Sequence, residues 1–188
     1  TNTATITLKD KSEWKDEGDA TYNKGQKEVT KKALDPTTLN SSQMVDGVFT
    51  LPWSLEVKLP RNDWSGSKNN KIEITDTFIT PKNGDHYAIK SELEKDIQKN
   101  LEITVDGTIY KYNTLPEGLK LESIKYYRYE DCDTKYDPPQ DTDIVRSFKL
   151  TFRKSDTFTG SLDKVVISEY STKATYDSTK LSAGQTIE

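Results

Sequence analysis

The 188-residue chain is poor in the groups from which most enzyme sites are assembled. It has one histidine, His86, so a Ser-His-Asp triad or a histidine-ligated zinc site lacks its usual parts. His86 itself reads as a loop residue. There is one cysteine, Cys132, so no disulfide can close within the chain. Its acidic neighbours Asp131 and Asp133 disfavour a thiolate, which makes Cys132 a poor nucleophile. No apolar run approaches the ~20 residues of a membrane span, and no signal peptide is visible. The chain opens at Thr1 inside a strand pattern and reads as a mature or partial chain, so export stays open. Lys and Arg number 27 against 31 Asp and Glu, interspersed, so no basic patch invites nucleic acid. Apolar residues make up only 32%, which implies a thin core under a heavily solvated surface.

What the chain does have favours strands: ten Tyr, three Trp and abundant Thr. Residues 48–59 are the clearest case, with Phe49, Leu51, Trp53, Leu55, Val57 and Leu59 alternating against polar residues at period two. Pro52 within it cannot donate to a ladder, so its amide side is expected at an edge or bulge. Further strands are expected at 1–8, 28–34, 71–79, 101–105, 108–112, 119–129, 144–153 and 164–176. In the last, Val166, Tyr170, Thr172 and Ala174 are expected on one face. Asp106-Gly107 is a good hairpin turn, and Ile89, Leu93 and Ile97 give one helical stripe over 88–99. Residues 9–27, polar with two glycines, read as a linker. Many short strands with turn signals and one core indicate a single antiparallel β-sandwich, 28–188, preceded by an N-terminal strand.

Three of these strands carry a misplaced polar residue on the apolar face. Asn2 is in line with Ala4, Ile6 and Leu8; Lys31 with Val29 and Ala33; Asp76 with Ile72, Ile74 and Phe78. Each has an ordinary explanation. A lysine snorkels to water, an aspartate near a strand end caps a turn, and a terminal residue frays. Together, however, they are the parts of a spontaneous cross-link. Burying an unpaired ammonium or carboxylate is costly, and desolvation in general favours the neutral forms of amines and carboxyls. A neutral amine is a nucleophile. A protonated carboxyl polarises a neighbouring carboxamide, and attack expels ammonia to leave an amide. No cofactor is needed; proximity and a dry site suffice. Lys32 is the alternative nucleophile if the register slips by one, and Glu169 the alternative acid, although it alternates with Tyr170 and is expected to face outward.

The segments WSLEVKLP (53–60) and IEITDTF (72–78) resemble the sheet core of Gram-positive cell-wall adhesin and pilin domains, the collagen-adhesin-type DE-variant immunoglobulin folds and fimbrial isopeptide domains. VTK (29–31), ITDT (74–77) and EYSTKAT (169–175) fit the same pattern, which spans about residues 28–188. The resemblance implies Lys31 as the nucleophile, Asp76 as the promoting acid, and an acceptor Asn in a closing strand reading like N-T-A-T. That strand would follow Glu188, but here Asn2-Thr3-Ala4-Thr5 stands at the other end. Residues 1–8 are thus the closing strand of a preceding repeat, a strand donated to another subunit, or a strand looped back into its own domain. A 19-residue linker reaches up to ~60 Å, enough for the last.

The resemblance makes the expected role structural: an extracellular, cell-wall-attached fibre or stalk module whose partners are copies or domains of the same surface protein. No enzyme activity is expected beyond the cross-link. Two alternatives remain: an adhesin head for a host matrix protein or glycan, and a carbohydrate-binding module. For either, Trp64 and Tyr127, with Tyr126 and Tyr129, are the candidate stacking platform; packing across strands is the competing explanation. Asp131, Asp133 and Asp137, in a loop that also holds Asp141 and Asp143, are candidate calcium ligands without EF-hand spacing.

Overall fold

The computed structural model describes residues 2–7, 13–21, 28–34, 39–59, 64, 70–81, 84–133, 135–176 and 186–187. Two antiparallel sheets carry most of them. The first runs in the order β1 (Asn2–Thr7), β2 (Glu13–Thr21), β6 (Lys71–Ile79), β12 (Ser147–Lys154), β10 (Leu119–Tyr127). The second runs β11 (Ile144–Val145), β7 (Gly84–Ile89), β13 (Leu162–Tyr176), β5 (Val48–Lys58), β3 (Glu28–Ala33), and β8 (Leu101–Val105) also pairs β13 and carries β9 (Thr108–Tyr110). A small ribbon joins β4 (Leu39–Asn40) to β14 (Thr186–Ile187). The segment Ala183-Gly184-Gln185, which reads as a turn, lies outside the described residues. Among the described residues no helix is long and apolar enough to cross a membrane.

The alternation of β5 and β6 builds the core between the sheets. Phe49, Leu51, Trp53, Leu55 and Val57 from one sheet, and Ile72, Ile74 and Phe78 from the other, are all buried. β12 adds Phe148, Leu150 and Phe152. Pro52 sits where the β3 ladder stops: pairing ends at Ala33 opposite Trp53, and the Pro52 carbonyl still accepts the Leu34 amide at 2.8 Å. The Asp106-Gly107 turn has both residues at positive φ, 48° and 80°, as a type I′ hairpin requires.

Helix α1 (Lys90–Asn100) occupies the gap along β13 between the stretch paired to β8 and the stretch paired to β7. It buries Leu93 and Ile97. It also completes the backbone hydrogen bonding of β13 there: the Ser171 amide donates to Asp96 Oδ2 at 2.9 Å, and Asn100 Nδ2 donates to the Glu169 carbonyl at 2.7 Å. Burial pushes the Asp96 carboxyl above the usual carboxylate range, against the Ser171 hydrogen bond.

Four expectations fail here. Residues 13–21, expected within a linker, form β2, which pairs both β1 and β6; the rest of 9–27 lies outside the described residues. Residues 84–89 form β7, not foreseen as a strand. His86 is a fully buried residue of that strand, not a loop residue. In β13, Val165 and Ile167 face the core instead of Val166, because a bulge between Ile167 and Tyr170 inserts one extra residue and reverses the phase.

Candidate functional site

The polar outliers of β3 and β6 meet in the middle of the sandwich. Lys31 pairs with Leu55, whose side chain points into the core, so the lysine is carried to the same face. Asp76 holds the inward phase of β6 between Ile74 and Phe78. Packed sheets lie about 10 Å apart, a gap that a lysine and an aspartate reaching from opposite sides can close. Lys31 Nζ lies 2.5 Å from Asp76 Oδ1, and both side chains have zero exposure.

The surroundings keep water out. Lys31 Nζ is 5.3 Å from the ring centre of Trp53, 5.5 Å from Phe78 and 5.1 Å from Tyr170. Aromatic faces attract a cation when it is charged and offer no hydrogen bonds to replace water. Tyr170 donates its hydroxyl to Asp76 Oδ2 at 2.6 Å, so both carboxyl oxygens are engaged. Sequence reasoning expected Tyr170 on the inward face but did not place it in the site, because nothing in β13 alone shows that its hydroxyl meets Asp76 of the opposite sheet.

A second buried network backs the aromatic wall. Trp53 Nε1 donates to Thr172 Oγ1 at 2.8 Å, and Thr172 Oγ1 lies 2.7 Å from His86 Nε2. His86 Nδ1 lies 3.3 Å from the Ile79 carbonyl, which can only accept. A neutral His86 protonated on Nδ1 satisfies the whole chain, with Thr172 donating to Nε2. The imidazole packs against Trp53 and Phe78, at 5.8 and 5.7 Å between ring centres.

Asn2 enters through the register of the first sheet. It is paired with Gly18 of β2, and Gly18 is paired with Asp76 of β6. Residues in direct register share a face, so Asn2, Gly18 and Asp76 form one row, with strands about 4.8 Å apart. The position between Asn2 and Asp76 is therefore held by the one residue without a side chain. Within a strand, such a glycine marks a place where another group comes close. Both β1 and β2 also approach β3, the strand that carries Lys31.

The remaining candidates lie elsewhere. Lys32 and Glu169 are exposed and face away from the pair. Trp64 is buried, edge-to-face on Phe158 at 6.3 Å, and Tyr127 is buried against Tyr136 at 5.3 Å; neither offers a surface for a ligand. Tyr126 is buried as well, and burial pushes its hydroxyl far above the ordinary tyrosine range. Only Tyr129 of that group is exposed.

The acidic loop is tied to bases. Asp137 and Asp143 bind Arg128 at 3.0 and 2.7 Å, Asp133 binds Lys149 at 3.2 Å, and Asp141 binds Lys90 at 2.9 Å. Asp131 accepts the Asp133 amide at 2.7 Å. Among the described residues no three acidic, histidine or cysteine side chains converge as a metal site, so the calcium ligand set is not assembled.

Cys132 is half-buried, with its thiol 3.7 Å from the Phe148 carbonyl. Burial pushes its pKa up first, with Asp133 and Asp76 adding to it, against Ser147 and Lys149. We expect Cys132 to react with iodoacetamide at neutral pH at least about tenfold more slowly in the folded protein than in urea. Equal rates would show an open thiol.

Comparison with protein-family models, with curated proteins and with solved structures finds no match to this chain.

Proposed function

We propose that this chain is a self-stapling structural module, in which Lys31 and Asn2 form an amide bond promoted by Asp76. The single observation that carries the reading is the Lys31–Asp76 contact at 2.5 Å, fully shielded from water and aligned with Asn2 across Gly18. A proton passing from the amine to Asp76 leaves a nucleophile beside an acid. Nζ attacks Cγ of Asn2 while the carboxyl donates to the amide oxygen. The Nζ–Cγ bond forms, the Cγ–Nδ2 bond breaks, and the protons lost by Nζ are relayed through Asp76 to the departing nitrogen. The nitrogen leaves with both protons, as ammonium, no electrons are exchanged, and Asp76 is regenerated as the carboxylate. The dry aromatic wall holds the reactants in contact and keeps water from competing.

The finer reading follows from the same site. The sandwich is of the DE-variant immunoglobulin type, as the resemblance of residues 53–60 and 72–78 implies. Its setting is the surface of a Gram-positive-type cell, in a stalk or fibre joined to further copies or domains of the same protein. A chain with one cysteine gains no stability from internal disulfides, and a covalent staple supplies what they would under shear. Because β1 pairs with β2 of its own chain, the bond is proposed within the chain.

Intact mass tests this directly. The folded protein is expected to weigh one ammonia less than its sequence, and an unchanged mass would sink the proposal. An SDS-resistant ladder in place of a lighter monomer would move the bond between chains.

Gly18 supplies a sharper check. Gly18→Val fills the row between Asn2 and Asp76 and is expected to abolish the ammonia loss, with Gly18→Ala intermediate. Asp19→Val, at the next and oppositely facing position, is expected to react normally. Unimpaired cross-linking in Gly18→Val would mean that the carboxamide arrives by another route.

A further inference from the structure

The cross-linking reaction needs Asp76 to carry its proton on a particular oxygen. Oδ1 faces Lys31 Nζ, and Oδ2 faces the Tyr170 hydroxyl. A phenol in this position has one hydrogen to give, and at 2.6 Å it gives it to Oδ2. An oxygen that already accepts that hydrogen is the poorer place for the acid proton. The proton is thereby left on Oδ1, the side where amine and carboxamide react. The same hydrogen bond stops the carboxyl from turning about its Cβ–Cγ bond.

Tyr170 points inward only because of the bulge before it. Ile167 is opposite Leu55 and Tyr170 is opposite Trp53, so three steps along β13 match two along β5. Without the extra residue, Glu169 would follow Ile167 inward and Tyr170 would face solvent. Ser168 and Glu169 are instead exposed. Helix α1 holds this irregularity from outside: Asn100 takes the Glu169 carbonyl and Asp96 takes the Ser171 amide, one on each side of Tyr170. Among the described residues, the other titratable side chain turned into this layer is His86, which stands behind Trp53 and Phe78.

We propose that Tyr170 is a positioning residue for the cross-link: held inward by a bulge that helix α1 pins, its hydroxyl fixes Asp76 with the transferable proton toward Lys31. This rests on the reading of the chain as a self-stapling module. It assigns work to a residue that the lysine, acid and asparagine alone would not require, and it couples an outer helix to the buried reaction.

The test uses the full chain, purified unfolded in urea and diluted into buffer, with ammonia loss followed by intact mass against time at several pH values. Tyr170→Phe keeps the ring and removes the hydroxyl. At the pH optimum its rate is expected to fall about tenfold. The slowing is expected to persist in the fully refolded variant, because the hydroxyl that orients the carboxyl is missing. A purely structural role for the hydroxyl would lower stability and leave the rate of the refolded chain unchanged. Asn100→Ala, which releases the bulge while keeping Tyr170, is expected to slow the reaction several-fold. It serves also if Tyr170→Phe does not refold by near-ultraviolet circular dichroism. If the unmodified chain loses ammonia and Tyr170→Phe matches its rate, the role of Tyr170 is overturned and the cross-link stands. That role is equally overturned if Tyr170→Phe does not refold and Asn100→Ala matches the unmodified rate. If the unmodified chain loses no ammonia, both readings fall together.

Discussion

Asp76→Ala is expected to abolish the loss of ammonia and to destabilise the domain by about 3–5 kcal/mol beyond the loss of the staple itself. Two separate consequences combine. The reaction loses its acid, and Lys31 loses the carboxylate that its amine contacts. Breaking one half of a buried ion pair leaves an uncompensated charge among Trp53, Phe78 and Tyr170, whose ring faces do not replace the hydrogen bonds of water. The double change Lys31→Met with Asp76→Leu separates the two effects. It removes both charges and keeps the volume apolar, so stability is expected to return to about that of the uncross-linked Asn2→Ala chain, while the mass stays that of the uncross-linked chain. Urea unfolding and intact mass on the same samples read both quantities. If Asp76→Ala still loses ammonia, another group is the acid. If the double variant is as unstable as the single one, the pair does more for the sandwich than its charges explain.

The parts of this site that were legible in the sequence are those that obey period two. β6 alternates without interruption, so Asp76 stood out as a polar residue in an apolar phase, and it is buried where that phase puts it. Lys31 was legible for the same reason, although β3 is short and its neighbours Val29 and Ala33 are only half-buried. β2 was not legible. Its positions in register with Phe78 and Asp76 of β6 are Asp16 and Gly18, which break an apolar alternation, and the glycine that matters to the site reads in isolation as a turn signal. β7 was hidden by His86, whose burial depends on two hydrogen-bond partners, Thr172 and the Ile79 carbonyl, that lie outside the strand. The inward phase of Tyr170 was legible, but its partner Asp76 lies on the opposite sheet, and the bulge that takes Val166 out of that phase is a property of pairing with β5 and not of β13 alone. Trp64 stood in the sequence between a stacking platform and packing; it is packed on Phe158, and no local pattern names that partner. The features lost to sequence reading are thus those created by tertiary partners, and they include two that shape the proposed reaction.

Asn2→Ala is expected to change how the chain comes apart more than how it folds. A bond from residue 2 to residue 31 closes a loop of about thirty residues that contains both β1 and β2. On the chain-entropy model for cross-links, a loop of that length is worth about 3–4 kcal/mol through the unfolded state. The variant should therefore melt earlier, without loss of any contact made by the core residues Phe49, Trp53 or Phe148. Limited proteolysis gives the more telling readout. A cut anywhere within residues 9–27 severs the backbone between Asn2 and Lys31, but in the stapled protein the two pieces stay joined and migrate together under denaturing conditions. In Asn2→Ala the same cut releases the N-terminal piece. A fragment that remains attached to the mass of a second chain would assign the bond to a neighbour. Release of the fragment from the unmodified protein would show that the end of β1 is held by hydrogen bonds to β2 alone, and the module would then have no covalent closure against tension.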